Sequence, residues 1–375
     1  MTEIRARALE MSAGRAPTAS EIASVARAVG PEAAAWAFTQ WELRRRGSEK
    51  FSRASEMLFV SEALEQATHE KVALWRASRF PAEAEVADLT CGIGGDLIAL
   101  ACRGPALGMD LDGERVDCAR HNLTVYGLDA PVTVQDALAA TGIGYWVADP
   151  ARRDARGRSH DVSRFRPDPR AIVERHAGAR LAALKLSPLL LDRDLESLGP
   201  KVEFVSFGRE CREACVWTGR DAVPGKAAVH VESGESLTPS VPPPVADTPS
   251  DWLAEADPAA TRVGALGTLA EMHNLRALGD APGWLTGLRP PKTPWLRVFR
   301  VLASGKGNPK SALKSFGAGA VVVKTRGVDV DPSRVARELS GKDGRTLAVA
   351  FYAVRRSVRW AILCEGDRAD SYPNR

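Results

Sequence analysis

The run Val86-Ala-Asp-Leu-Thr-Cys-Gly-Ile-Gly-Gly-Asp-Leu-Ile-Ala-Leu-Ala101 opens as a short apolar strand, passes Asp88 and bends through Gly92, Gly94 and Gly95. It then continues as a helix from Leu97. A strand, a glycine turn and a helix N-terminus make a nucleotide-type site, because glycine permits close backbone approach and the first helical N–H groups face the crevice. The spacing is not the dinucleotide GxGxxG: the third glycine is missing and an acid stands before the turn. That acid would repel a pyrophosphate but suits the cationic end of a ligand. A second strand follows in Leu107-Gly-Met-Asp-Leu-Asp112, and Asp110 at its tip can grip a ribose diol.

From Glu85 onward strand and helix patterns alternate, as a doubly wound parallel α/β sheet requires. Strands are expected over 86–89, 106–109, 132–134, 145–148, 181–186, 202–206 and 227–231, with a helix over 113–126. Ligands in such sheets bind beyond the carboxyl ends of the strands. Asp88, Asp110, Asp136 and Asp149 all stand at such ends.

Upstream, residues 1–84 read as a helical region, with helices over 20–29, 32–43 and 52–67. The basic break Arg44-Arg-Arg-Gly-Ser-Glu-Lys50 is either a solvated face or a phosphate contact. Downstream, residues 236–289 read as a proline-rich linker and a helical connector over 251–278, with Trp252, Leu253, Val263, Leu266 and Leu269 packing. Residues 290–375 read strand, helix, strand, helix, strand, strand: a small α+β domain.

Composition narrows the function classes. With 45% hydrophobic and 26% charged residues, the chain is an ordinary soluble globular protein. No apolar run approaches the ~18 residues of a membrane span, and the N-terminus lacks a signal-peptide pattern. Six scattered cysteines form no metal-ligand pattern and suit a reducing cytoplasm. The charge is segregated. Residues 290–375 hold 17 Lys or Arg against 7 Asp or Glu, a net +10 in a chain totalling +4, which leaves −6 for residues 1–289. A basic lobe beside an acidic one is the footprint of a polyanion partner.

Asp88, Gly92-Ile93-Gly94 and Asp110 together resemble class I S-adenosylmethionine-dependent methyltransferases. The likeness is closer still to the bacterial group with a C-terminal THUMP-like domain. It rests on Leu64-Glu-Gln-Ala-Thr68, Asp88 to Asp96, Asp149-Pro-Ala-Arg-Arg153, Lys185-Leu-Ser-Pro188 and Lys324-Thr-Arg-Gly327. The resemblance implies a Rossmann-like seven-stranded methyltransferase sheet over 85–235 and a THUMP-like α+β domain over 290–375. It also implies S-adenosylmethionine as cofactor and RNA, tRNA or rRNA, as partner; from composition and cysteine spacing neither membrane nor metal is expected. Gln66, Thr68, Asp88, Gly92, Gly94, Gly95, Asp96, Asp110, Leu111 and Asp136 would surround the cofactor. From the residues alone, Thr68 could instead cap a helix starting near Glu70, Asp96 could cap its own helix, and Asp136 could cap the next.

Asp149-Pro150-Ala151-Arg152 is where the chain departs from its relatives. Nitrogen-methylating families on this fold carry a polar residue, two prolines and an aromatic ring that stacks on the base. Here Asp149, Pro150 and Arg152 are the catalytic candidates, with the Arg152 guanidinium as the stacking plane. Substrate contacts would come from Arg153, Lys185, Lys310, Lys314, Lys324 and Arg326. The expected activity is methylation of a nucleobase in structured RNA. A noncatalytic RNA-binding scaffold with a degenerate methyltransferase fold and a small-molecule methyltransferase stand as the alternatives.

Overall fold

The computed structural model describes residues 2–152 and 164–365. The chain divides into unit 1, Met1–Val202 with Ala214–Gly225, and unit 2, Glu203–Glu213 with Lys226–Arg375.

Unit 1 begins with α1 (Glu3–Ser12), α2 (Ala19–Val29), α3 (Pro31–Gly47), α4 (Ser61–Gln66) and α5 (Glu70–Ala77). Thr18 accepts the Glu21 amide to start α2, and Gly30, at φ 87°, ends it just before Pro31 starts α3. Helix α3 runs through the arginine triplet. Arg44 is buried and donates to the carbonyls of Met57 and Glu56 at 2.8 and 3.2 Å, while Arg45 and Arg46 pair with Glu42 and Glu65. The phosphate-contact reading therefore does not hold for Arg44, whose guanidinium is taken up by backbone.

The expected helix over 52–67 is corrected to Ser61–Gln66 alone. Met57, Leu58 and Phe59 are buried in succession, which one helix face cannot provide. Their backbone is satisfied from outside the segment: Gln40 bonds both main-chain groups of Phe59, and Asn122 both of Leu58, at 2.7–3.0 Å.

The sheet of unit 1 is built from β1 (Val86–Asp88), α6 (Gly95–Arg103), β2 (Ala106–Asp110), α7 (Gly113–Val125), β3 (Val132–Val134) and β4 (Tyr145–Ala148). There follow a short ribbon of β5 (Ala151–Arg152) and β6 (Phe165–Arg166), then α8 (Pro169–Arg175), β7 (Leu181–Leu186) and α9 (Asp192–Glu196). Strands run parallel in the order β7-β4-β1-β2-β3. Order reverses at β1, so the crevice lies beyond the carboxyl ends of β1, β2 and β4. After β8 (Lys201–Phe207) comes β9 (Glu210–Thr218), whose Ala214–Thr218 pairs antiparallel with β7. Strand β9 is not among the seven expected from sequence. Its first half, Glu210-Cys-Arg-Glu213, carries the charges of a loop.

In unit 2, β10 (Gly225–His230) pairs antiparallel with β11 (Ser236–Leu237). The expected helical connector over 251–278 is corrected. The chain runs β12 (Val245–Ala246), β13 (Trp252–Ala256), α10 (Pro258–Val263), α11 (Leu266–His273), β14 (Arg276–Leu278) and β15 (Trp284–Gly287). Pairing on both sides, with β15 and with β16 (Leu296–Lys306), holds Trp252–Ala256 extended, and only from Asp257, which caps α10, does a helix begin. The remaining elements are α12 (Lys310–Ser315), β17 (Ala318–Arg326), α13 (Pro332–Leu339), β18 (Arg345–Val354) and β19 (Ser357–Glu365). Eight strands join in the order β12-β14-β15-β13-β16-β19-β18-β17. Alternation along β18 splits its core in two: Leu347, Val349 and Phe351 pack with Leu313 and Leu339 of α12 and α13, and Ala350, Tyr352 and Val354 with Trp284 and Phe299.

Candidate active site at the reversal of strand order

Two of the turn's glycines serve different ends. Gly92 (φ 53°) and Gly94 (φ 92°) are both left-handed. A Cβ on Gly92 would meet nothing within 4 Å, whereas one on Gly94 would come within 3.3 Å of Ala119 Cα in α7. Gly94 thus serves helix packing, not ligand approach, and stands outside the cleft's lining. Gly94 caps α6 without any side-chain hydrogen bond, so Asp96 is not the cap of its helix.

A cleft of about 1020 Å³ opens over the strand ends. Ten residues named from sequence line it: Gln66, Thr68, Asp88, Gly92, Gly95, Asp96, Asp110, Leu111, Asp136 and Asp149. Asp88 is 2% exposed and accepts the Thr90 amide at 3.2 Å. Burial, reinforced by the charge of Asp96 and then of Asp110 and Asp149, pushes its carboxyl well above the usual carboxylate range. Asp110 accepts the Gly92 and Asp112 amides, one on each oxygen, at 2.9 Å. Asp136 accepts the Leu138 amide at 2.8 Å in a tight turn, and no helix follows for it to cap. Leu111 is exposed at the cleft's edge.

Asp149 is anchored twice. Its amide donates to Thr90 Oγ1 at 2.7 Å, and its Oδ2 accepts from Lys185 Nζ. The same ammonium donates to Thr68 Oγ1 at 2.9 Å, and Thr68 in turn donates to Asp96 Oδ2 at 2.7 Å. Asp96 Oδ1 accepts from the buried Arg76. The helix α5 is capped by His69, so Thr68 is not its cap.

Pro150 stands outside the lining. Arg152 is placed by its pairing with Phe165, and Arg153 lies outside the described residues. Lys310, Lys314, Lys324 and Arg326 belong to unit 2. There Lys310 and Lys314 are exposed, but Lys324 is 2.7 Å from Glu255 and Arg326 3.8 Å from the same carboxylate. Sequence reasoning missed Thr90, which sits inside the quoted run, and Arg115, Arg166 and Asp168 of the lining. Arg166 and Asp168 reach the cleft through the β5–β6 ribbon, a two-residue pairing with no periodic signal. Among the described residues no cluster of metal-ligating side chains is found, and no helix is long and apolar enough to cross a membrane.

Comparison with known proteins is consistent with this geometry. Residues 83–141 match the model of the RNA cap guanine-N2 methyltransferase family, and residues 296–366 that of the THUMP domain-like family. The chain is similar in structure to a candidate methyltransferase from Porphyromonas gingivalis W83, with a TM-score of 0.77 at 21% identity over 97% of this chain and 98% of that one. Two uncharacterised S-adenosylmethionine-dependent methyltransferases of Mycobacterium tuberculosis, from strains CDC 1551 and H37Rv, are each 32% identical over 334 residues, covering 85% of this chain and 92% of theirs. At that identity and coverage, the chain with this acid-lined cleft belongs to the S-adenosylmethionine-dependent methyltransferases.

Proposed function

We propose that the enzyme methylates a base nitrogen in structured RNA, tRNA or rRNA, with Asp149 at the acceptor. The observation that carries this reading is the place of Asp149: beyond the end of β4, in the same cleft as Asp88, Asp96 and Asp110. The residues present fit S-adenosylmethionine. Each Asp110 oxygen keeps lone pairs for the ribose diol, and Gly92 leaves open space for backbone approach. Asp88 and Asp96 suit a cationic amino-acid end, and Leu111 with Asp136 offers an apolar surface and an acceptor for the adenine. The cofactor supplies an electrophilic methyl carbon.

On the acceptor side, Asp149 Oδ2 is taken by Lys185, which leaves Oδ1 for an N–H of the incoming amine. Oδ1 accepts that hydrogen bond, orients the nitrogen and takes up the proton it loses. Support for RNA comes from the two family matches and from the net +10 of residues 290–375, where Lys310 and Lys314 are exposed on α12.

The test incubates the protein and tritiated S-adenosylmethionine with small RNA and rRNA from a strain lacking the gene. Label should enter RNA, and Asp149→Ala should lower transfer by about 10²–10⁴-fold with cofactor affinity kept. Cofactor binding without transfer would favour the scaffold, and transfer only to small metabolites would end the RNA reading.

A further inference from the structure

We propose that Lys185 is the positioning residue of the acceptor carboxylate, and that Thr68 ties this pair to the cofactor side of the cleft. The inference rests on Asp149 acting at the acceptor. Five side chains, from three elements and two loops, form one directed chain. Arg76 of α5 and Lys185 of β7 donate, Asp96 of α6 and Asp149 beyond β4 accept, and the Thr68 hydroxyl does both.

The direction is fixed by chemistry. An ammonium can only donate, so Thr68 Oγ1 must accept from Lys185, and its single proton is left for Asp96. A serine can do the same and a valine cannot. The Lys185 side chain is 15% exposed, Thr68 is buried and Arg76 is 1% exposed, so the donor side of the chain is shielded, while Asp149, at 35%, opens to the cleft. In that setting an ion pair is geometrically demanding: removing one partner strands the other charge. Two of the three ammonium donors are committed to Thr68 and Asp149.

The consequence falls on Asp149. Its backbone amide is held by Thr90 and its Oδ2 by Lys185, so the carboxylate plane is set before an acceptor arrives. A group held this way aligns an acceptor without reorganising during the reaction. Thr68 and Asp96 also line the cleft, so the same hydroxyl that steadies Lys185 stands at the cofactor side. Lys185 touches no reacting atom; it acts through Asp149.

Two arms test this on the full-length protein. In the first, protein labelled with ¹⁵N-lysine is followed through the Lys185 ammonium resonance, assigned by its loss in Lys185→Met. Asp149→Asn and Thr68→Val should each shift it, and Thr68→Ser should leave it nearly in place. A resonance unmoved by Asp149→Asn overturns the proposal whatever the acceptor proves to be. In the second, transfer to the RNA of the deletion strain is measured. Lys185→Met should lower kcat about a hundredfold, the scale of a misplacement near 1 Å, with KM and cofactor affinity within about threefold of wild type. Lys185→Arg should recover part of the loss, and Lys185→Met in an Asp149→Asn background should cost little more. Full kcat in Lys185→Met beside a crippled Asp149→Asn overturns the positioning role. Wild-type protein that labels no RNA breaks the RNA reading instead, and the lysine resonance still decides whether Lys185 holds Asp149.

Discussion

Asp88 in the cleft of unit 1 and Glu255 on the sheet of unit 2 stand in opposite surroundings. Around the glycine turn, Asp96 and Asp149 are paired with Arg76 and Lys185, but Asp88 is buried among them and Asp110, and its carboxyl is driven upward by burial and by those neighbours. In unit 2, Lys324 and Arg326 share Glu255, and Arg355 stands 3.6 Å from Asp247. A carboxyl buried among other acids costs stability that a bound cation can return, whereas matched charge is structure. The net +10 of the last segment therefore overstates the cationic surface free for a polyanion.

The largest effect should come from breaking the frame that holds the acids together. Gly94→Val puts a β-branched residue at φ 92° and 3.3 Å from Ala119, so unfolding by denaturant should show a loss of about 3 kcal/mol or more. Gly92→Ala meets open space and should cost only about 1–2 kcal/mol of stability, with most of its effect on cofactor binding. Equal losses of stability would contradict the division of labour between the two glycines. Next in size, Asp110→Ala should weaken S-adenosylmethionine by about 1.5–3 kcal/mol by calorimetry, the scale of hydrogen bonds to a charged group. Unchanged affinity would remove Asp110 from the site.

Asp88 gives a smaller effect with a definite sign. Its folded-state pKa is raised, so the protein gains from the bound proton below the ordinary carboxylate range and loses stability as pH climbs toward the raised value. Asp88→Asn should therefore raise the Tm of the ligand-free protein above neutrality, with the gain vanishing below about pH 4. Adding S-adenosylmethionine should stabilise the wild type more than this variant at high pH. A Tm difference independent of pH would show that Asp88 carries no electrostatic strain.

Parts of this molecule were legible because their signals are local. The strand, the glycines and the acid at the next strand's tip lie within 25 residues, and strand-end position alone brought Asp88, Asp110, Asp136 and Asp149 to one cleft. What stayed hidden depends on partners distant in sequence. Thr68 lies 117 residues from Lys185 and 28 from Asp96, and no spacing rule links them. The segment Met57–Phe59 resembles a helix until Gln40 and Asn122 claim its backbone, and Trp252–Ala256 does until β15 and β16 flank it. Glu255 lies 69 residues from Lys324, so the neutralisation of that lysine could not be read from the charge count.

The mildest test sharpens the contrast within unit 2 itself. Lys310 and Lys314 lie four apart on α12 and are exposed, whereas Lys324 and Arg326 are half-buried against Glu255. A phosphate can displace counterions from the first pair at little cost, but must compete with a carboxylate for the second. Changing Lys310 and Lys314 together to Ala should therefore reduce the log–log salt slope of RNA binding by about 1–2, near one unit for each phosphate no longer neutralised. Changing Lys324 and Arg326 should alter that slope less and instead lower the Tm, because Glu255 is left part-buried without its cations. S-adenosylmethionine affinity should be the same in both variants. If the second pair proves the steeper contributor, Glu255 releases its lysine when RNA binds, and matched charge in unit 2 is a switch and not a strut.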